Sequence, residues 1–269
     1  MPRTPEEWKH VAEEFNTRWN FPNCHGAIDG KHILIRPPHG SGSYYYNYKG
    51  SHNIVLMAIC DANSEFIYVD VGTNGHVSDR GVWDDSSMST HIANGTAGLP
   101  CDEILPGSER SLPFVFVADD TFPLQRHIMK PFSHQQQNNR ECLFSYRVSR
   151  ARQTVENAFG ILANRFCIFL TPRNLPMDKV EKVVLVCTSV HIILRRDKIS
   201  KYMQPEGFLE CEDLSQGTVS RGTWRATPDL IGLERVGWNP TNDSKYIRKQ
   251  CMEFFSDEGA VAWQNKMYT

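Results

Sequence analysis

The chain has 269 residues, 40% of them hydrophobic and 22% charged, with 29 Lys+Arg against 31 Asp+Glu for a formal charge of −2. That length and apolar content suffice for one buried core with peripheral additions, and they exclude a disordered chain. The near balance of charge excludes a polyanion binder acting through bulk charge, so any basic surface must be local.

Eight cysteines, at 24, 60, 101, 142, 167, 187, 211 and 251, never pair as CxxC, and several lie in apolar runs such as LMAIC and LVCTSV. They read as reduced core thiols of an intracellular protein. The N-terminus is too charged for a signal peptide, and the longest apolar run, VEKVVLVCTSVHIIL, is broken by Thr188, Ser189 and His191, so no membrane association is expected.

Trp8, Val11, Phe15 and Trp19 recur at three-to-four spacing and predict an amphipathic helix over 5–19, ending at the Pro22 turn. Three β-rich segments follow at 25–36, 53–62 and 65–72, the last two joined by DANSE as a hairpin; between the first two lies a loop with four tyrosines. Residues 80–93 are weakly helical, 94–111 are turn-rich, and LPFVFVADD supplies a strand at 114–118. Ala151, Val155, Phe159, Leu162 and Phe166 form one stripe of a helix for which Ser149 is placed as N-cap. A second helix is expected over about 178–195, and the Gly/Pro/charged tail from 204 contains one short helix, SKYIRKQCMEFF. The expected organisation is an N-terminal helix and linker (1–23), an α/β (α+β) domain (24–197) and a partly irregular C-terminal extension (198–269).

Carboxylates inside apolar elements are informative, because burying a charge is costly unless something pairs with it. Asp29 interrupts the first strand beside Gly30, which leaves room for a ligand near the backbone. Asp119 or Asp120 ends the later strand. Glu156 borders the apolar stripe of the helix, with Gly160 one turn on opening space above it. A single half-buried carboxylate is more often a structural acceptor; three on separate elements point to a shared cation.

These residues lie within longer motifs: FPNCHGAIDGKHI, YYNYKGSHNIVLMAICDANSEFIYVDVG, GHVSDRGVWDDSSM, VADDTFPL, YRVSRARQTVENAFGILANRF and EGAVAWQ. Together they resemble the PIF/Harbinger transposase superfamily, in particular the Harbinger transposase-derived nucleases, from about residue 8 to 195 and again at the C-terminus. The resemblance implies an RNase H-like mixed sheet flanked by helices, carrying a DDE triad. It places the first Asp on Asp29, the second on Asp119 and the Glu on Glu156, with Asp79 as a supporting residue. Ala118, Ser145 and Ile192 depart from residues common in the family, and none of them is a catalytic carboxylate.

Two divalent ions about 3.5–4 Å apart can activate a nucleophile and steady the leaving oxygen of a phosphodiester. Carboxylates suit hard ions such as Mg²⁺ or Mn²⁺, and the resemblance implies two of them, with Asp29 bridging and Asp119 and Glu156 each completing one side. Between residues 140 and 173 there are six Arg and two Glu, a local charge of +4. Arg147, Arg150 and Arg152 are therefore expected to engage DNA phosphates, the alternative for Arg152 being a helical pair with Glu156. Family members carry a helix-turn-helix region ahead of the catalytic domain, and only about 20 residues precede it here; sequence specificity is expected from a Myb/SANT-like DNA-binding protein. The expected function is a metal-dependent DNA endonuclease of transposase origin, located in the nucleus with the cytoplasm as a second site. The alternative is a catalytically silent domesticated transposase serving as a chromatin or Myb/SANT-protein-binding scaffold.

Overall fold

The computed structural model describes residues 1–267 apart from 48, 76, 78, 134–136, 173, 198–201, 203–206, 215–217, 227–229 and 234–238, and apart from the side chains of 79, 80 and 265. The first helix, α1 (Pro5–Trp19), starts in a capping box: Thr4 Oγ1 accepts from the Glu7 amide, the Glu7 carboxylate accepts from the Thr4 amide, and Pro5 follows at the first helical position. It stops at Asn20, which takes the left-handed conformation (φ 53°). Trp8, Val11 and Phe15 are buried, as their spacing predicts.

Strands β1 (Cys24–Leu34), β2 (Asn53–Cys60) and β3 (Phe66–Asn74) form an antiparallel meander. The β2–β3 turn is closed by Asp61, whose Oδ1 accepts from the amides of Asn63 (2.8 Å) and Glu65 (2.9 Å), with Ser64 at φ 61°. Every residue of β2 is buried, which explains its unbroken apolar run. Two short helices, α2 (Asp79–Asp84) and α3 (Ser87–Ala93), divide the weakly helical stretch, α3 being capped by Ser86. A small hairpin of β4 (Glu103–Ile104) and β5 (Ser111–Leu112) follows within the turn-rich region.

The chain then returns to the sheet as β6 (Val115–Val117) and β7 (Ile128–Met129), both parallel to β1, giving the order β3-β2-β1-β6-β7. Helices α4 (Asn139–Arg165) and α5 (Met177–Arg196) follow, the latter within a residue of its expected bounds. The tail supplies a hairpin of β8 (Cys211–Asp213) and β9 (Thr218–Ser220), a two-residue strand β10 (Ile231–Gly232) and helix α6 (Asn242–Ser256). This is the mixed sheet with flanking helices that an RNase H-like fold requires.

Ser149 is not the N-cap of α4. The helix begins ten residues earlier, where Asn138 Oδ1 accepts from the Glu141 amide (3.0 Å) and Glu141 returns a bond to the Asn138 amide (2.9 Å). That reciprocal cap is available at 138, and nothing between it and Ser149 breaks a helix.

Apolar clusters fill both faces of the sheet. On one, Ala27, Ile33, Leu56 and Ala58 meet Val148, Ala151, Val155 and Phe159 of α4, with Val184 of α5 and Ile247, Phe254 and Phe255 of α6 in the same cluster. On the other, Ile28, Val55, Met57 and Phe116 meet Trp8, Trp83 and Phe122. The C-terminal helix therefore shares the core of the sheet domain.

Candidate active site

The site begins with strand geometry. On one edge of β1 the ladder to β6 ends at Ala27–Val117, and the pairing to β10 starts at Lys31–Gly232. Asp29 stands between those two ladders, where among the described residues β1 pairs only with β2 (Ala58). It is 4% exposed. Its Oδ1 accepts from the Gly30 amide (2.8 Å), and Lys31 Nζ lies 3.1 Å from its Oδ2. Asp119 sits two residues past the end of β6, half-buried, its Oδ1 accepting from the Thr121 amide (3.0 Å) and hydroxyl. Burial, and after it the charge of Asp29, pushes the Asp119 carboxyl above the usual carboxylate range, against the opposing pull of Arg152 and Thr121. Asp120 is held in the following turn, its carbonyl accepting from Lys130 Nζ (2.8 Å), which also reaches the Phe122 carbonyl.

Glu156 projects from α4, and both of its carboxylate oxygens are engaged. Oε1 accepts from Arg152 one turn earlier on the same helix, and Oε2 lies 3.1 Å from Arg225 Nη2. Arg152 is the hub of the cluster. Burial alone would lower its guanidinium, but the charges of Glu156, Asp29, Asp119 and Asp120, in that order, outweigh it and hold it above its ordinary value. Carboxylates from β1, from the end of β6 and from α4 thus all act electrostatically on one half-buried cation, which Glu156 contacts directly.

Among the described residues no three His, Cys, Asp or Glu side chains are arranged to hold a metal ion. The donor chemistry nevertheless fits a hard divalent ion: the groups are carboxylates, Asp29 is almost wholly buried, and Asp119 bears the penalty of a nearby like charge. In this arrangement Asp29 is paired with Lys31, and Glu156 with Arg152 and Arg225. Asp79 opens α2, but its side chain lies outside the described residues.

The basic cluster is corrected by burial. Arg147 is 1% exposed and Arg150 7%. Arg147 donates to the Asn20 carbonyl and to Gln264 Oε1 (3.2 Å), with its guanidinium carbon 4.5 Å from the Phe255 ring centroid. Arg150 donates to the Trp19 carbonyl (2.7 Å), pairs with Glu212 and lies 4.7 Å from the Trp263 ring centroid. Both tie α4 to the end of α1 and to the C-terminal tail, and neither presents a free fork to a phosphate. For Arg152 the helical pair with Glu156 is present, and its other charged neighbours are acidic.

The two glycines expected to leave space do not. A Cβ on Gly160 would fall inside the Trp224 indole, and one on Gly30 would collide with Leu233 Cδ1. The sequence reasoning missed this C-terminal contribution altogether. Arg225, Trp224 and Glu210 reach the Glu156 turn of α4 from 57 to 69 residues away in the chain, and only the glycines themselves hint that bulky neighbours approach.

No solved structure matches the chain. It is 26% identical to "Protein ALP1-like" of Arabidopsis thaliana over 194 residues, which is 71% of this chain and 47% of that protein. It is 26% identical over 186 residues to "Putative nuclease HARBI1" of Homo sapiens, 68% of this chain and 49% of the relative, and 25% identical to the Rattus norvegicus protein of the same name over the same shares. The chain spans about half the length of these curated relatives. The family model for the DDE superfamily endonucleases matches residues 28–191, a span that holds Asp29, Asp119 and Glu156 together. With more than half of the chain inside that match, on a mixed sheet of the expected kind, the protein belongs to the DDE superfamily endonucleases, alongside the Harbinger transposase-derived nucleases.

Proposed function

We propose that the chain is a divalent-metal-dependent DNA endonuclease of transposase origin, which cuts or transfers phosphodiesters with Asp29, Asp119 and Glu156 as its metal-holding carboxylates. The observation that supports it is that acidic side chains from three separate elements act on one half-buried cation, Arg152, which Glu156 contacts directly. When bound, the divalent ions would supply activation of the attacking oxygen and neutralisation of charge on the departing one. The chain's own groups do the positioning. The Gly30 amide fixes Asp29, Thr121 fixes Asp119 by two hydrogen bonds, and α4 presents Glu156 from a rigid surface. Arg152, with Lys31 at Asp29 and Arg225 at Glu156, offsets the mutual repulsion of the carboxylates, so the cluster is tolerated in the fold. DNA as substrate, a nuclear location and a Myb/SANT-like partner that confers site preference belong to the same reading.

Plasmid nicking with Mn²⁺ tests it. Wild type is expected to cut and Glu156→Gln to lose about 10³-fold in rate, about 4 kcal/mol of barrier, with its melting temperature close to wild type. Equal cutting by both would remove Glu156 from the chemistry. The rival reading, a silent scaffold, draws on the engagement of both Glu156 oxygens by arginines; it predicts no cutting by either protein and no change in melting on adding Mn²⁺.

A further inference from the structure

One face of α4 is covered by the chain's own tail. Tyr146, Arg150, Gln153, Asn157 and Gly160 follow one another at three-to-four spacing and so share a stripe beside Glu156. Glu212 accepts from Tyr146 Oη (3.3 Å) and pairs with Arg150 Nε. Glu210 accepts from Gln153 Nε2. Trp224 donates through Nε1 to Asn157 Oδ1 (3.1 Å) and lays its ring against Gly160. Arg225 closes the set, bridging Glu210 and Glu156.

The chemistry of this cover is selective. The side chains of Glu210 and Glu212 are only 7% and 11% exposed, so two carboxylates have been brought out of water to meet an amide, a phenol and a guanidinium. Carboxylates two residues apart present anionic oxygens to donors on a helix face, as successive backbone phosphates would. We infer that the tail segments 208–214 and 218–226 act as an intramolecular competitor for nucleic-acid backbone on this face of α4, so that phosphates and the tail bind it in alternation. The nucleic-acid class of ligand rests on the nuclease reading above. Displacement frees Glu156 Oε2 from Arg225 and exposes Arg150 Nε, Gln153 and Tyr146, while Arg150 Nη1 keeps its bonds to Trp19 and Asn20 and Nη2 its bond to the Arg18 carbonyl.

The test separates displacement from simple charge. Gly160→Ala adds one methyl where the indole lies and alters no charge; Glu210→Gln/Glu212→Gln removes the acidic contacts. Binding of a fluorescein-labelled duplex of random sequence is followed by anisotropy in EDTA, where cutting plays no part. If the tail is closed in about nine-tenths of molecules, releasing it raises the affinity about tenfold, and both variants are expected to show it. Should Gly160→Ala fail to fold, Trp224→Ala asks the same question by deleting the ring. An unchanged affinity in both variants, a rise confined to the glutamine variant, or no binding by any chain overturns the proposal. Absence of cutting in Mn²⁺ by every variant would count against the nuclease reading alone.

Discussion

Two arginines of one helix, Arg147 and Arg152, sit five residues apart and have opposite surroundings. Arg147 is enclosed by neutral acceptors and rings: the Asn20 carbonyl, Gln264, Phe255 and Trp263. Burial, with a like-charge push from Arg150, lowers its guanidinium to about 10. Arg152 is half-buried, and four carboxylates hold it above its ordinary value. Residue type and helix are the same. What separates a structural tie from a site residue is whether the partners are fixed neutral dipoles or negative charges that could be satisfied by another cation.

The largest expected effect breaks the first half of that contrast. Arg147→Ala strands the Asn20 carbonyl, leaves Gln264 Oε1 with only the Val261 amide and removes a buried ring contact, and it is expected to cost about 3–4 kcal/mol by chemical denaturation. A loss below about 1 kcal/mol would show that Arg147 is not a tie between α1, α4 and the tail. Arg152→Met is expected to cost less, about 2 kcal/mol, and with a pH signature that Arg147→Ala lacks. Without Arg152, Asp119 rises further above its unfolded value, so the folded state binds a proton the unfolded state has released. The penalty is therefore full at neutral pH and shrinks as pH falls through the folded Asp119 value toward the unfolded one. A penalty independent of pH would mean that Arg152 acts through packing rather than charge.

Acid sensitivity gives a smaller and separable effect. Burial holds His25 at about 3, and His32 and His191 at about 4. Each is neutral in the fold where the unfolded chain takes up a proton, so its stabilisation is complete above about 6.5 and is lost as pH falls toward the folded value. His25 stacks on Phe114 with ring centroids 4.7 Å apart. Replacing it by Phe is expected to flatten the stability-versus-pH slope between about 4 and 6 by about 1.4 kcal/mol per pH unit. A slope equal to wild type would show that His25 is charged or hydrated in the fold. Smallest of all is Arg225→Gln. That side chain is 37% exposed, so screening leaves its two ion pairs worth less than about 1 kcal/mol of stability, and a melting shift comparable to that of Arg152→Met would overturn the distinction between hub and cover.

Much of the sheet was legible from local pattern. The DANSE turn, the β2 run and the Trp8–Val11–Phe15 stripe are each determined by residues near one another in the chain, and the structure follows them. Residues 139–148 were missed because Arg140, Glu141 and Arg147 interrupt the apolar period, although the Asn138–Glu141 box was there to be read. The arginine cluster was misjudged because a charge count contains no partners. Arg147 and Arg150 donate to carbonyls 127 and 131 residues away, and no window of sequence holds both ends of such a bond. The same holds for Arg225 and Glu156, whose pairing shapes the site and leaves no trace in the spacing of either motif.

The two-residue strand β10 has a further effect on how the chain behaves among its neighbours. It continues the edge of β1 at Lys31 and His32, past the point where β6 ends, and Leu233 covers the bare backbone at Gly30. A protein trimmed of its irregular tail would carry an uncovered strand edge at its centre, with main-chain donors and acceptors open to the first extended segment that reached them. What looks in the sequence like dispensable connection is what pairs the β1 edge at Lys31 and His32.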